Sequence, residues 1–157
     1  MTPEEFAGLL APVTAAIAGR PLDAALEDEL NRRFPATGEV VAGILAACRT
    51  GTAEGWMCKH EQGGIRFGRI AKPSPELHGF SIDVVDMKDV VGPHHAHPNG
   101  EIDLIMPTEG DARFDGHAAG WMVYPAGSRH KPTVAGGRAF VLYLLPAGAI
   151  EFTKEGP

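Results

Sequence analysis

Apolar residues recur at helical spacing through the first third of the chain. Thr2 is followed by a proline and, three positions later, by a glutamate, which is the pattern of an N-cap with a capping box. Apolar positions then return every three or four residues as far as Ile17, which predicts a first helix. The same periodicity predicts a second helix over 22–34 and a third over 37–51, with Thr37 as its cap.

From Trp56 onward the pattern changes to short segments that are rich in apolar and β-branched residues. Glycine, proline or asparagine bounds each segment, which is typical of antiparallel strands joined by turns. The segments are 65–71, 80–86, 101–106, 112–114, 121–124 and 139–145. The sequence therefore predicts a mainly β sandwich or barrel over 53–157, preceded by a helical lead-in over 1–52.

The lead-in is too short to be stable alone, so its apolar faces are expected to pack on the barrel or on a partner subunit. These faces present more apolar surface than one small barrel is expected to cover. We therefore expect a homo-oligomer, most simply a dimer.

The composition is that of one ordinary globular domain, with 157 residues, 44% of them hydrophobic and 22% charged. A formal net charge of −6 argues against nucleic acid or an anionic membrane as a partner. The two cysteines, Cys48 and Cys58, form no Cys-x-x-Cys motif, and the N-terminus has no apolar export segment. We therefore expect a cytoplasmic protein with reduced thiols.

Three potential metal ligands, His95, His97 and Glu101, lie within seven positions. Side chains two positions apart on a strand point to the same side, so both imidazoles are expected to face one pocket. The Asn-Gly pair before Glu101 is a strong hairpin signal that folds the carboxylate back over this pocket. His130 follows a proline-glycine turn and adds a fourth donor. This set suits Fe(II), Mn(II), Ni(II), Cu(II) or Zn(II), and we favour it over the alternative of surface and turn histidines.

The spacing of these residues resembles the two sequence motifs of the cupin superfamily. His95, His97 and Glu101, followed by Gly110, resemble the first motif, and residues 120–130 resemble the second. The positions of two glycines and the absence of a closing asparagine depart from the common pattern, but no ligand is lost. The resemblance implies a single antiparallel cupin β-barrel, or double-stranded β-helix, whose metal ligands are His95, His97, Glu101 and His130.

Longer runs of the chain resemble the bacterial 4-hydroxylaminobenzoate lyases. They are 92–107, 110–117 and 138–146, with 20–23 and 77–81, so the resemblance covers nearly the whole chain. That family converts 4-hydroxylaminobenzoate to 3,4-dihydroxybenzoate with release of ammonia, in the degradation of nitroaromatic compounds. The resemblance therefore implies a metal-dependent carbon–nitrogen lyase that acts on a small aromatic substrate.

In an arylhydroxylamine reaction, a Lewis-acidic metal could bind the N–O oxygen or supply a metal-bound hydroxide as the nucleophile, and a nearby carboxylate is then needed to move protons. Glu101 and Asp103 are the candidate catalytic carboxylates, because strand alternation puts both on one face. The alternative for Asp103 is a hydrated position at a splayed sheet edge. Trp121 and Tyr143 are the candidate substrate-binding aromatics, although such residues more often belong to a barrel core. A substrate carboxylate would require an arginine, and the sequence does not choose among Arg66, Arg69, Arg113, Arg129 and Arg138.

Two other functions remain open from the sequence. The same ligands would serve another small-molecule cupin enzyme, an Fe(II) dioxygenase or an isomerase, and oxygen uptake would separate a dioxygenase from a lyase. A cupin that binds a small molecule without turnover is the second alternative. The helical lead-in lacks the basic face that a DNA-binding effector domain would present, which disfavours a sensor.

Overall fold

Three helices precede nine strands in the computed structural model, which describes residues 1–153. The helices are α1 (Pro3–Ile17), α2 (Ala24–Arg33) and α3 (Glu39–Glu54). The strands are β1 (His60–Gln62), β2 (Ile65–Ala71), β3 (Phe80–Val91), β4 (His95–His97), β5 (Glu101–Phe114), β6 (Gly120–Tyr124), β7 (Ser128–His130), β8 (Thr133–Pro146) and β9 (Glu151–Phe152). Within this part of the chain, no helix combines the length and hydropathy needed to span a membrane. The predicted mainly β class with an N-terminal helical segment is confirmed.

The strands form two antiparallel sheets that face each other. The large sheet has the order β1-β2-β3-β8-β5-β6, and the small sheet has the order β7-β4-β9. His95 of β4 lies over Tyr143 of β8 with ring centroids 6.4 Å apart, so the small sheet covers one face of the large one. No strand pairing joins the two sheets within residues 1–153. The predicted barrel is therefore an open, jelly-roll-like sandwich and not a closed cylinder.

The large sheet is buried on both faces, and each face has its own core. The outer face packs on the helices through residues such as Ile102 and Leu104. The inner face carries a second core that includes Ile105, and alternation along β5 turns Glu101 and Asp103 to this same side. The apolar helix faces were the reason to expect a dimer, and the sheet of the same chain covers them. The dimer therefore stays a prediction without this support.

The helix ends follow local hydrogen bonding. The Thr2 hydroxyl accepts from the Glu5 amide, and the Glu5 carboxylate accepts from the Thr2 amide, which confirms the predicted capping box. Helix α2 begins two residues later than predicted, because the Asp23 carboxylate caps a backbone amide of its first turn at 2.9 Å. The predicted cap Thr37 is wrong, since Gly38 precedes the first residue of α3 and provides no side-chain cap.

Helix α2 covers the edge strand β6 with side-chain hydrogen bonds. The Asn31 amide accepts from the Trp121 backbone N–H and donates to the Trp121 carbonyl, both at 2.9 Å. The indole N–H of Trp121 donates to the Phe34 carbonyl at 2.9 Å, and Glu27 accepts from the Val123 amide at 2.9 Å. These bonds satisfy backbone groups that an edge strand would otherwise leave open. Helices and sheet are therefore tied together by polar as well as apolar contacts.

Replacing Phe6 by alanine tests how far the stability of the helices depends on the sheet. Phe6 is fully buried, and its ring meets Trp56 edge-on with centroids 6.1 Å apart. We expect Phe6→Ala to lower the free energy of unfolding by about 3–5 kcal/mol, because it leaves a cavity in a shared core. Urea unfolding followed by circular dichroism measures the change. Val40→Ala is the control, since Val40 is 38% exposed, and equal losses in the two variants would contradict the shared core.

Candidate metal centre

The four predicted metal ligands lie on three strands that meet between the sheets. Strand β4 carries His95 and His97 and pairs with β7, with His95 opposite His130. Glu101 begins β5 after a turn in which the Gly100 amide donates to the His97 carbonyl at 3.1 Å. Gly100 has a φ of +88°, and a Cβ there would lie 2.8 Å from a backbone carbonyl oxygen of β6, so the turn requires glycine. The Asn-Gly hairpin thus brings the carboxylate next to the histidines.

The four side chains present their donor atoms to one point. The ligand atoms of His95, His97, Glu101 and His130 all lie within 4.8 Å of one another. His97 Nε2 is 3.0 Å from one Glu101 oxygen, and His95 Nε2 is 3.1 Å from His130 Nε2. Two ligands that each lie about 2.1 Å from one ion are separated by about 3.0–3.5 Å at octahedral or tetrahedral angles. The cluster therefore has the dimensions of a divalent-metal site.

Two of the histidines are held by neutral acceptors. His95 Nδ1 donates to the Pro93 carbonyl at 3.3 Å, and a carbonyl oxygen can only accept. His97 Nδ1 lies 3.0 Å from the Ser128 hydroxyl, which donates its own proton to a backbone carbonyl at 2.6 Å and so accepts from the imidazole. Nδ1 of each ring therefore carries a proton, and Nε2 is the atom directed at the cluster.

The third histidine is held by a carboxylate with several partners. His130 Nδ1 lies 2.5 Å from an oxygen of Asp115, and the Tyr124 hydroxyl donates to the same oxygen at 2.5 Å. The other Asp115 oxygen accepts from the Thr133 amide at 2.9 Å. Burial would raise the pKa of Asp115, but the hydrogen bonds from His130 and Tyr124 outweigh it and lower that pKa. A charged carboxylate behind an imidazole fixes its orientation and makes the other nitrogen a better metal ligand.

These contacts leave buried atoms that need a positive charge. His97 Nε2 and both Glu101 oxygens are buried without a hydrogen-bond partner among residues 1–153. The Nε2 atoms of His95 and His130 face each other at 3.1 Å, a separation at which both can bind one metal ion. Burial would raise the pKa of Glu101, but the adjacent His95 and His97 imidazoles lower it to about 2, so the carboxylate is ionised. The four residues therefore fit a divalent metal ion.

Asp103 lies two residues after Glu101 on the inner face of the sheet and is fully buried. Neither of its oxygens has a hydrogen-bond partner within the described part of the chain. Burial raises the pKa of Asp103 well above its usual range, and the nearby Glu101 carboxylate raises it further. A hydrated position at a sheet edge, the alternative interpretation of Asp103, does not agree with this burial.

A cavity of about 930 Å³ opens between the sheets beside the cluster. His95 and Tyr143 lie in its wall, and most of the remaining wall is apolar. The predicted substrate residue Tyr143 therefore faces the cavity. Trp121 does not, and its predicted substrate role is corrected: Asp103 pairs with Met122, so Met122 turns inward and Trp121 turns outward into the helical core.

Other residues near the motifs have different positions. The His94 ring bonds a hydroxyl group of residue 153, and His117 is exposed in the turn after β5. Of the five candidate arginines, Arg69 is the one in the cavity wall within the described residues. Sequence reasoning missed Asp115 and Ser128, which hold the metal-ligand histidines. Each is a polar residue at a turn or strand end, and such a position gives no sign of which histidine it will meet.

Comparisons with known proteins identify the family of the chain. Among solved structures, an RmlC-like cupin protein from Ralstonia eutropha has 18% sequence identity and a TM-score of 0.45, covering 60% of this chain and 62% of its own. A protein from Nocardioides sp. (strain LMS-CY) named 4-hydroxylaminobenzoate lyase is 31% identical over 165 residues, covering 99% of this chain and 98% of that protein. A Pseudomonas putida protein of the same name is 30% identical over 166 residues, covering 95% and 94%. A sequence profile described as PnbB, 4-hydroxylaminobenzoate lyase, matches residues 8–152, and the chain therefore belongs to the 4-hydroxylaminobenzoate lyase family.

Proposed function

We propose that this protein is a metal-dependent lyase that converts 4-hydroxylaminobenzoate to 3,4-dihydroxybenzoate and ammonia. The proposal rests on the four-donor cluster and on Asp103, two residues after Glu101, whose buried carboxyl group has no hydrogen-bond partner among residues 1–153. The adjoining cavity of about 930 Å³ can hold a single aromatic ring with its substituents. Family membership and the names of the two relatives supply the substrate class.

The proposed reaction sets three chemical requirements. The hydroxylamino oxygen leaves as water, one water adds to the ring carbon beside the nitrogen, and a second water replaces the nitrogen through an imine. One water is consumed in total, and no external oxidant or reductant is required. Each step moves a proton, so the site needs a group that can both donate and accept protons next to the substrate nitrogen.

The cluster residues have the role of metal ligands in this proposal. A divalent ion held by His95, His97, Glu101 and His130 would supply Lewis acidity toward the hydroxylamino oxygen. The partners behind the imidazoles keep each Nε2 directed at the cluster, so the donors are in place before substrate arrives. The fully buried Glu101 carboxylate would offset part of the charge of that ion.

Asp103 is the proton-transfer group in this proposal. Burial and the neighbouring Glu101 carboxylate favour its protonated form. Asp103 can therefore donate a proton as the N–O oxygen leaves and take a proton back when water attacks the ring. Tyr143 lies opposite Asp103 on the next strand and faces the cavity, so its side chain can contact the aromatic ring of the substrate.

A product assay without oxygen tests the proposal. The purified protein is incubated with 4-hydroxylaminobenzoate under nitrogen and in air, and both ammonia and 3,4-dihydroxybenzoate are measured. We expect equal amounts of the two products and the same rate under both atmospheres. A requirement for oxygen would indicate a dioxygenase, and the absence of ammonia would contradict a lyase.

Removal of one imidazole should empty the metal site. His97 is fully buried, and its Nε2 is 3.0 Å from Glu101, so His97→Ala leaves three donors and a gap between them. We expect the variant to be purified with little or no divalent metal and to lose ammonia release. Metal content is measured by mass spectrometry of the purified protein. The control is His117→Ala, because His117 is exposed; a His97→Ala variant with as much metal as this control would rule out the site.

Replacing Asp103 by asparagine should separate catalysis from metal binding. The two side chains are nearly isosteric, so we expect Asp103→Asn to fold and to keep its metal. Its turnover number should fall by about 10²- to 10⁴-fold, which is the usual contribution of a positioned general acid or base. Steady-state ammonia release and metal content are measured on the same samples. Asp111→Asn is the control, since the Asp111 side chain is 88% exposed, and equal turnover in the two variants would remove Asp103 from the mechanism.

A further inference from the structure

One cross-strand row of the large sheet carries polar side chains from one side of the cavity to the other. Arg69 of β2 pairs with Asp83 of β3, Asp83 pairs with Tyr143 of β8, and Tyr143 pairs with Asp103 of β5. Neighbouring strands lie about 4.8 Å apart, so the Arg69 and Asp103 backbones are separated by about 14 Å. The row therefore places a guanidinium group at one end and the candidate proton-transfer group at the other.

The Arg69 guanidinium is fixed in position on two of its nitrogens. Nε lies 2.9 Å and Nη2 lies 3.4 Å from the two oxygens of Asp83, and Nη2 also donates to the Gly148 carbonyl at 3.1 Å. The Ser81 hydroxyl donates to Asp83 at 3.0 Å. Arg69 Nη1 has no hydrogen-bond partner within residues 1–153. Two N–H donors are thus left for a ligand on a group whose orientation is already set.

Charge decides which way a substituted benzoate can lie in the cavity. The end at the cluster holds the acidic side chains of Glu101 and Asp103, neither of which offers the paired N–H donors that a carboxylate prefers. Among the described residues, Arg69 is the only arginine or lysine in the cavity wall. Its side chain is 35% exposed, so a carboxylate bound there would keep part of its hydration. The apolar wall between the two ends, including Phe67, Val85 and Leu145, suits the ring.

We propose that Arg69, held by Asp83, binds the carboxylate of the substrate at the end of the cavity opposite the metal ligands. This inference rests on the proposed function for the identity of the ligand. It makes Arg69 the residue that selects an aromatic acid over a neutral aromatic compound, and Asp83 a positioning residue for Arg69. The hydroxylamino group, para to the carboxylate, then points to the cluster and to Asp103.

The proposal is tested without turnover by comparing the affinity of the protein for the product acid with its affinity for the neutral amide of that acid. Calorimetry compares 3,4-dihydroxybenzoate with 3,4-dihydroxybenzamide on the metal-loaded protein, since both present the same diol to the cluster. We expect the wild type to prefer the acid by about tenfold, the value of one charged hydrogen bond that is partly open to water. Arg69→Gln should abolish this preference by weakening the acid and leaving the amide unchanged. In turnover, the same variant should raise KM with little change in kcat.

Two further variants separate this role from a structural one. Arg66→Gln is the matched control, because Arg66 lies on the same strand but faces the outside of the sheet, and it should keep the preference. Arg69→Gln combined with Asp83→Asn avoids an unpaired carboxylate and should lose the preference as the single variant does. A wild type without preference, or variants that lose acid and amide affinity equally, would overturn the proposal. A wild type that prefers the acid but releases no ammonia would support the Arg69 site and contradict the lyase.

Discussion

Three imidazole nitrogens and one carboxylate converge in the interior between the two sheets, and a positive charge at their centre stabilises this arrangement. The Nε2 atoms of His95 and His130 face each other at 3.1 Å, and the Glu101 oxygens have no donor within residues 1–153. Burial of such groups is costly unless a cation compensates them. The hydrogen bonds on the Nδ1 atoms of the three histidines hold the Nε2 atoms close together. The protein thus positions the ligands before a metal ion binds.

The layered architecture makes this polar interior possible. The helices bury the outer face of the large sheet, and a second apolar core covers part of its inner face, so the polar side chains of the site need only the remainder of that face. One side of β5 can therefore carry Ile102 and Leu104 into the helical core, while the other side carries Glu101 and Asp103 into the site. The small sheet closes over them with two histidines of β4 and one of β7. Both faces of the sheet thus contribute to stability, and the inner face also carries the site.

Much of the site could be predicted from local sequence signals. The two-residue spacing of His95 and His97 and the Asn-Gly turn before Glu101 act over a few residues, where strand alternation and glycine conformation are decisive. Features that depend on register between distant strands could not be read in this way. Trp121 was assigned to the substrate wall, but its pairing partner on β5 turns it outward, and nothing local in β6 specifies that register. Asp115 meets His130 across 15 positions for the same reason.

The most direct test of the central claim is a metal titration of the metal-depleted protein under nitrogen. Fe(II), Mn(II), Ni(II), Cu(II) and Zn(II) are added in separate experiments, and ammonia release from 4-hydroxylaminobenzoate is followed as a function of bound metal. We predict that at least one of these ions restores ammonia release in proportion to its binding, with a limit at one ion per chain. Full ammonia release by the metal-free protein, or none with any of the five ions, would contradict a metal-dependent lyase.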